Sequence, residues 1–81
     1  DFDNLIAERA RQVFLRENEI DLAKNPITWA RLLRAAETAK IQLSTEPSTE
    51  IIEEFIAETD GIPLHLKFKI TRVEFEDLIK P

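Results

Sequence analysis

The chain contains no cysteine, and only one glycine and one histidine occur among its 81 residues. Without cysteine it can form neither a disulfide framework nor a thiolate zinc site. A single histidine is too few for a histidine-based metal cluster. Loops that bind phosphate need several glycines, because backbone N–H groups must close on the ligand. One glycine therefore excludes a P-loop, a dinucleotide-binding loop or a kinase-type loop within these residues.

Basic residues are fewer than acidic ones, 11 against 16, which gives a net charge of −5. Nucleic-acid binding needs clustered Lys and Arg, so no nucleic-acid partner is expected. An apolar run of about 18 residues, the length that spans a membrane, is also absent, so no membrane partner is expected. The chain begins with Asp1 and has no initiator Met. We therefore expect an excised piece of a longer protein, and we expect that protein to be cytoplasmic.

What the chain does contain is a hydrophobic fraction of 43 % with clear periodicity, which indicates a folded domain. Residues 1–81 are read as a single domain. A chain of this size buries only about 60 % of the surface that its unfolded form exposes, so modest stability is expected.

Two helices are predicted in the N-terminal half. Asp1 or Asp3 can cap the first, whose apolar residues recur at three- and four-residue steps until about Glu17. Asn25 is a suitable N-cap for the second, because proline follows it at the first helical position. This second helix is predicted over Pro26–Ser44.

A β-hairpin is predicted in the C-terminal half. From Ile62 to Ile70 apolar and polar residues alternate without error, which is typical of a strand with one buried face. The Asp60-Gly61 pair before it favours a tight turn. The segment Thr49–Ala57 can be read as a strand or as a helix because its alternation is poor, and the turn favours an antiparallel strand.

A third, short helix is predicted to begin after Thr71, since Thr71 and Glu74 have the spacing of a capping box. It ends before Pro81. The order helix, helix, strand, strand, helix indicates an α+β fold, with helices packed on one face of a small antiparallel sheet.

Catalytic chemistry has few candidates. His65 is the only side chain that could act as a base for a serine or threonine nucleophile, and it falls on the outward face of a predicted strand. Acidic pairs such as Glu53-Glu54 are typical of solvated faces. No catalytic residue is assigned.

The second helix carries a polar ridge formed by Glu37, Lys40 and Ser44. It runs beside a core face whose residues share one narrow stripe: Leu32, Ala36, Ala39 and Leu43. One interpretation of the ridge is an exposed i,i+3 ion pair followed by a serine at the helix end. The other is a binding wall for a planar, hydroxylated ligand, with a carboxylate for sugar hydroxyls, a Lys stem for a ring face and a hydroxyl for a ring nitrogen.

Four segments in register resemble a known family. The run AAETAKIQLS at residues 35–44 resembles AAExAKxxLS of the seventy-kilodalton heat-shock chaperones, the DnaK family. The DFDN of residues 1–4, the IDL of residues 20–22 and the TRVEFEDLI of residues 71–79 agree in order and spacing. The chain is thus similar to lobe IIB of that family's actin-like nucleotide-binding domain.

This resemblance implies that Glu37, Lys40 and Ser44 contact the adenosine of ATP or ADP. Some family members have an Arg directly after the lysine, whereas this chain has Ile41, so no guanidinium stacking on adenine is carried over. The phosphates, the magnesium and the hydrolytic residues would lie on the remaining lobes of the parent. The isolated chain would then be no enzyme, although its parent would be an ATP-hydrolysing chaperone of the stress response.

The resemblance also implies a protein partner. Nucleotide-exchange factors grip this lobe in the family, with GrpE the expected type if the parent is bacterial, and the corresponding apolar residues here are Ile27 and Trp29. Core packing is the alternative role for both. The first helix departs from the family at Leu5-Ile6 and Arg9-Ala10. A structural or protein-binding module that has lost nucleotide handling therefore stays open as an alternative.

Overall fold

The structure is a computed structural model that describes all residues from 1 to 81. Its elements, in chain order, are α1 (Phe2–Asn18), a single 3-10 turn (Leu22–Lys24), α2 (Pro26–Leu43), β1 (Ser48–Thr59), β2 (Ile62–Thr71) and α3 (Arg72–Ile79). The two strands pair in one antiparallel sheet. The predicted α+β class is confirmed.

Both N-terminal helices begin where the sequence predicts. The Asp1 carboxylate accepts from the Asp3 N–H at 2.7 Å and caps α1. Asn25 Oδ1 accepts from the N–H groups of Ile27 and Thr28 at 3.0 and 3.2 Å, while Pro26 occupies the first helical position. These bonds satisfy helix donors that would otherwise have no partner.

One hydrophobic core holds the elements together. The predicted stripe of α2 lies in it, and so do residues of α1, the 3-10 turn and the inner face of the sheet. The fourteen buried residues are Ile6, Ala7, Ala10, Phe14, Leu22, Leu32, Ala36, Ala39, Leu43, Ile51, Ile56, Leu66, Phe68 and Ile70. The position of α2 is therefore fixed from both sides, by α1 and by β1.

An ion pair ties α1 to the 3-10 turn. Arg11 donates to Asp21 through Nε at 2.7 Å and through Nη2 at 3.1 Å, so the contact is bidentate. The Arg11 hydrogen bond and the N–H of Ala23 lower the pKa of the Asp21 carboxyl from 3.8 to about 2. The same carboxylate, together with Glu8, raises the pKa of Arg11. The ion pair thereby links α1 to the connection that precedes α2.

The hairpin turn is a two-residue turn. Asp60 and Gly61 adopt φ values of 51° and 77°, and Thr59 pairs with Ile62 across them. Positive φ at both central residues is the requirement of a type I′ turn, which suits the twist of the strands. The predicted hairpin is confirmed, and the segment at residues 49–57 is a strand.

The buried face of β2 is confirmed only for its inner half. Leu66, Phe68 and Ile70 are buried, but Leu64 is only half-buried and Ile62 is 62 % exposed. The expectation that Ile62 is buried is wrong, because the outer end of the hairpin extends beyond the helices.

A bulge interrupts β1. Glu53 pairs with Leu66 and Ala57 pairs with Leu64, so three residues of β1 lie opposite His65 alone. Phe55, in the middle, has φ 55°, which is unfavourable for a bulky side chain.

Arg31 of α2 holds this bulge from the helix side. Its guanidinium donates to the carbonyl oxygens of Glu54 and Phe55 and, at 2.6 Å, to the Glu53 carboxylate. The Arg31 guanidinium thus donates to two backbone carbonyl groups, of Glu54 and Phe55, whose residues are not paired with β2.

The last helix begins with the predicted capping box. Thr71 Oγ1 accepts from the Glu74 N–H at 3.0 Å, and the Glu74 carboxylate accepts from the Thr71 N–H at 2.8 Å. Helix α3 packs beside α1 through Phe75, whose ring meets that of Phe2 edge-on at 6.1 Å. None of the three helices has the length and apolar character needed to cross a membrane.

Candidate functional site

An open cavity of about 430 Å³ lies where the start of α1, the end of α2 and the face of α3 meet. We call it the three-helix cavity. Its lining residues are Phe2, Lys40, Leu43, Ser44, Arg72, Phe75, Glu76 and Ile79. A mainly apolar surface with a few convergent polar groups is typical of small-molecule sites. Two members of the predicted polar ridge, Lys40 and Ser44, are brought together here.

An aromatic pair forms the apolar side of the cavity. The rings of Phe2 and Phe75 meet at an interplanar angle of 85° with their centroids 6.1 Å apart. Phe2 is 50 % exposed, so its ring presents apolar surface to the opening. An edge-to-face arrangement of this kind is favourable for two aromatic rings.

Lys40 forms an ion pair with a residue of another helix. Its Nζ lies 2.8 Å from Oδ1 of Asp3, in the first turn of α1. The side chains are 36 % and 18 % exposed, so the pair is partly shielded from water. That geometry is more favourable than a fully exposed pair, where solvent and salt screen the attraction.

Ser44 is the C-cap residue of α2, and its hydroxyl is already engaged. Oγ donates to the carbonyl oxygen of Ile41 at 2.6 Å. The hydroxyl can therefore accept a hydrogen bond as it stands, but it must turn to donate to a ring nitrogen.

Arg72 secures the same helix end. Its Nε donates to the carbonyl oxygen of Leu43 at 3.0 Å, and its backbone N–H donates to that of Pro47 at 2.8 Å. The last carbonyl groups of a helix have no partner within the helix, so a guanidinium here stabilises them. The end of α2 is thus anchored to α3 beside Ser44.

Glu37 is placed differently from its two ridge neighbours. It is exposed and does not line the three-helix cavity. The ion pair between Glu37 and Lys40, which the helix spacing allows, is not formed, because the Lys40 ammonium is drawn to Asp3. The cavity therefore contains only the C-terminal part of the ridge, Lys40 and Ser44.

The two predicted partner-binding residues differ in exposure. Ile27, in the first turn of α2, is 81 % exposed, an unusual position for an isoleucine. Trp29 is half-buried and packs against the core. Part of the Trp29 side chain therefore packs in the core. The Ile27 side chain does not and lies mostly in solvent.

His65 lies on the outward face of β2, as predicted, but it is not simply solvated. Its Nδ1 accepts the Phe55 N–H at 2.9 Å, and its ring meets the Phe55 ring edge-on. No serine or threonine hydroxyl is hydrogen-bonded to it. Its contacts thus belong to the bulge.

The sequence does not assign six of the eight lining residues to a site, among them Phe2, Arg72 and Phe75, nor Asp3 as the partner of Lys40. Arg72 and Phe75 belong to the TRVEFEDLI segment, where periodicity indicated only a capped helix with an apolar side. From the sequence alone, Asp3 is identifiable only as a possible cap of α1. A signal for the aromatic pair was nevertheless present, since Phe2 and Phe75 both lie in segments that resemble the DnaK family.

Acidic residues are numerous but dispersed, and no group of three or more His, Asp or Glu side chains has the arrangement of a metal site. The polar chemistry of the three-helix cavity comes instead from a lysine, an arginine, a serine and Glu76. These are groups that bind polar organic ligands.

Comparison with known proteins gives one consistent family. The sequence model described as "Hsp70 protein" matches residues 1–81. The chaperone protein DnaK of Picrophilus torridus is 46 % identical over 81 residues, which are 100 % of this chain and 13 % of that protein. The DnaK of Anaplasma marginale is 40 % identical over 79 residues, 98 % of this chain and 12 % of its own length. The chain thus spans about an eighth of these relatives, and over that whole span it belongs to the Hsp70 family.

Proposed function

We propose that residues 1–81 form the adenosine-side lobe, lobe IIB, of the nucleotide-binding domain of a DnaK-like chaperone ATPase. The observation that carries the proposal is the three-helix cavity. It joins Lys40 and Ser44, which family resemblance associates with adenosine, to the apolar surface of Phe2 and Phe75.

The chemistry of the cavity suits a nucleoside. An adenine ring needs an apolar surface, and the aromatic pair and the stem of Lys40 offer one. The ammonium of Lys40 and the hydroxyl of Ser44 offer polar contacts at its rim. Glu37, one helical turn before Lys40, would reach the ribose hydroxyls from outside the cavity and would complete the binding wall.

The lobe alone is half a site. Three side chains on one wall, without contacts to phosphate, leave little surplus over the free-energy cost of association, so dissociation constants of about 1 mM or weaker are expected. Phosphates, magnesium and the hydrolytic residues would come from the other lobes. The isolated chain would then bind adenosine weakly and hydrolyse nothing.

Exchange of ADP for ATP would be a rotation of this lobe about its connections to the parent. Such a rotation withdraws Glu37, Lys40 and Ser44 together, because α2 is fixed in the core between α1 and β1. A nucleotide-exchange factor, of the GrpE type in a bacterial parent, would hold the open position by gripping the start of α2. The 81 % exposure of Ile27 supports this contact.

The nucleotide role is tested in the full-length parent by calorimetric titration with ADP. Lys40→Ala should weaken ADP binding by about tenfold, the loss expected when a partly shielded charged hydrogen-bonding group is removed. Lys67→Ala is the matched control, because Lys67 is 73 % exposed and lies on the outer face of β2. Equal affinities of Lys40→Ala and wild type would contradict the proposal, and so would micromolar adenosine binding by residues 1–81 alone.

The exchange-factor contact has its own test. Ile27→Ser in the parent should weaken binding of the factor, whereas Val73→Ser should not, although Val73 is a comparably exposed apolar residue at 67 %. Binding of the factor to the Ile27→Ser variant at wild-type strength would show that Ile27 is not a contact.

A structural or protein-binding module without nucleotide handling is the second candidate. It is favoured by the engagement of two polar cavity groups within the chain, Lys40 with Asp3 and Ser44 with Ile41. The same titration separates the two functions, since a structural module would give no dependence of ADP affinity on Lys40.

A further inference from the structure

The Asp3 carboxylate is placed unusually for an acid in the first turn of a helix. Its Oδ1 is buried and accepts no hydrogen bond of good geometry. Buried carboxylate oxygens normally have hydrogen-bond donors, because the loss of hydration is otherwise uncompensated. The compensation here is the charge of the Lys40 ammonium, 2.8 Å away.

The pairing with Asp3 determines where the Lys40 ammonium lies relative to the three-helix cavity. Phe2 lines the cavity, and Asp3 follows it directly in α1. An ammonium held at Asp3 is therefore held beside the α1 side of the cavity. Pairing with Glu37 would turn it back along the surface of α2, toward a side chain that lies outside the lining.

The contact also leaves the lysine able to bind. An ammonium carries three N–H donors, and the Asp3 contact restrains it by charge more than by a directional hydrogen bond. With one face of the ammonium toward Asp3, two of its donors stay available to a ligand while its side chain is ordered in advance. A side chain that is already ordered loses less conformational entropy when the ligand arrives.

We propose that Asp3 is a positioning residue for nucleotide binding, which holds the Lys40 ammonium at the three-helix cavity and away from Glu37. This inference rests on the proposed adenosine role of Lys40. It extends the set of residues that act on the site to α1, because a carboxylate of that helix orients a side chain of the wall on α2.

The test is a double-mutant cycle in the full-length parent, with ADP as the ligand and calorimetry as the readout. Asp3→Asn should weaken ADP binding by about fivefold, the upper end for loss of a partly exposed ion pair. Once Lys40→Met is present, adding Asp3→Asn should cause no further loss. Asp77→Asn is the matched control. It removes an exposed carboxylate that pairs with Lys80 at 3.2 Å, and neither residue lines the three-helix cavity.

Rescue separates positioning from a merely structural role. Asp3→Glu keeps the charge and should bind ADP within about twofold of wild type. It also serves as the second variant if Asp3→Asn does not fold. An affinity of Asp3→Glu as low as that of Lys40→Met would overturn the inference.

The outcomes also distinguish this inference from the proposed function. If Lys40→Met leaves ADP affinity unchanged, the adenosine role of Lys40 fails, and the positioning role of Asp3 fails with it. If Lys40→Met weakens binding and Asp3→Asn does not, only the positioning role is overturned. It is equally overturned if Asp3→Asn weakens binding as much with Met at position 40 as with Lys.

Discussion

The backbone N–H of Phe55 donates a 2.9 Å hydrogen bond to Nδ1 of His65 across the hairpin. An accepting ring nitrogen carries no proton, so this contact selects the tautomer with its proton on Nε2. The two rings meet edge-on with their centroids 5.0 Å apart. The His65 side chain thus accepts the hydrogen bond of the Phe55 N–H, in place of the backbone carbonyl that would accept it in a regular strand pair.

Replacing His65 with leucine should expose this amide. We expect His65→Leu to lower the free energy of unfolding by about 1 kcal/mol, the usual net contribution of one hydrogen bond. Hydrogen exchange followed by NMR should show faster exchange of the Phe55 amide. Lys67→Leu, a control on the same outer face, should leave that amide unchanged. Unaltered protection of the Phe55 amide in His65→Leu would contradict the role of His65 as its acceptor.

Because Phe55 has a left-handed conformation, its alanine and glycine variants should show an unusual order of stability. At an ordinary strand position alanine is more stable than glycine, since glycine loses more conformational entropy on folding. At φ 55° the order should reverse, because only glycine adopts this conformation without steric cost. In urea denaturation, the free energy of unfolding of Phe55→Gly should therefore be about 1 kcal/mol higher than that of Phe55→Ala.

Ile52 is the control for this comparison. It is 57 % exposed in the regularly paired part of β1, so Ile52→Gly should be less stable than Ile52→Ala. The same order of alanine and glycine at both positions would show that the Phe55 backbone is not constrained to positive φ.

The capping box of α3 should contribute measurably to stability. Thr71→Ala removes the acceptor for the Glu74 N–H and should lower the free energy of unfolding by about 1 kcal/mol. Thr38→Ala is the matched control, since Thr38 is exposed within α2, where alanine is the better helix former. Thermal unfolding should show a lower midpoint for the first variant and an equal or higher one for the second.

The Arg11 and Asp21 pair predicts a specific acid dependence. The pKa of Asp21 is lowered from 3.8 to about 2 in the folded chain, so the unfolded chain binds more protons between these pH values. Stability from this pair is therefore fully present above pH 3.8 and is lost as the pH falls toward 2. Asp21→Asn should flatten the decline of unfolding free energy in that window, measured by urea denaturation at several pH values. Arg11→Gln should flatten it similarly, and an unchanged slope in both variants would exclude the pair as its source.

Helix ends and the turn could be predicted because their signals are local. Asn25 followed by proline, Thr71 followed by Glu74, and the Asp60-Gly61 pair each determine backbone geometry within a few residues. Such patterns need no knowledge of distant contacts.

The bulge could not be predicted, although its trace was visible. Ile51 and Ile56 are both buried, and their separation by five residues is incompatible with strict alternation along a strand. In the sequence this appeared only as poor periodicity. The bulge is held by the hydrogen bond from Phe55 to the His65 side chain and by the contacts from Arg31. Both depend on the assembled hairpin and α2.

The candidate site could be predicted in part, for a similar reason. Lys40 and Ser44 follow from the period of α2 and from family resemblance. The pairing of Lys40 with Asp3 could not be foreseen, since local helix rules favour Glu37 as the partner. Only the packing of α1 beside α2 brings the Asp3 carboxylate within reach.

The guanidinium of Arg31 has a further consequence for the free edge of β1. A two-stranded sheet leaves each strand with unpaired carbonyl groups, which invite the addition of a strand from another molecule. At Glu54 and Phe55 those acceptors are already occupied by Arg31. We therefore expect this contact to hinder the addition of a strand at the bulge, and Arg31→Ala should form aggregates at concentrations where wild type remains monodisperse in light scattering.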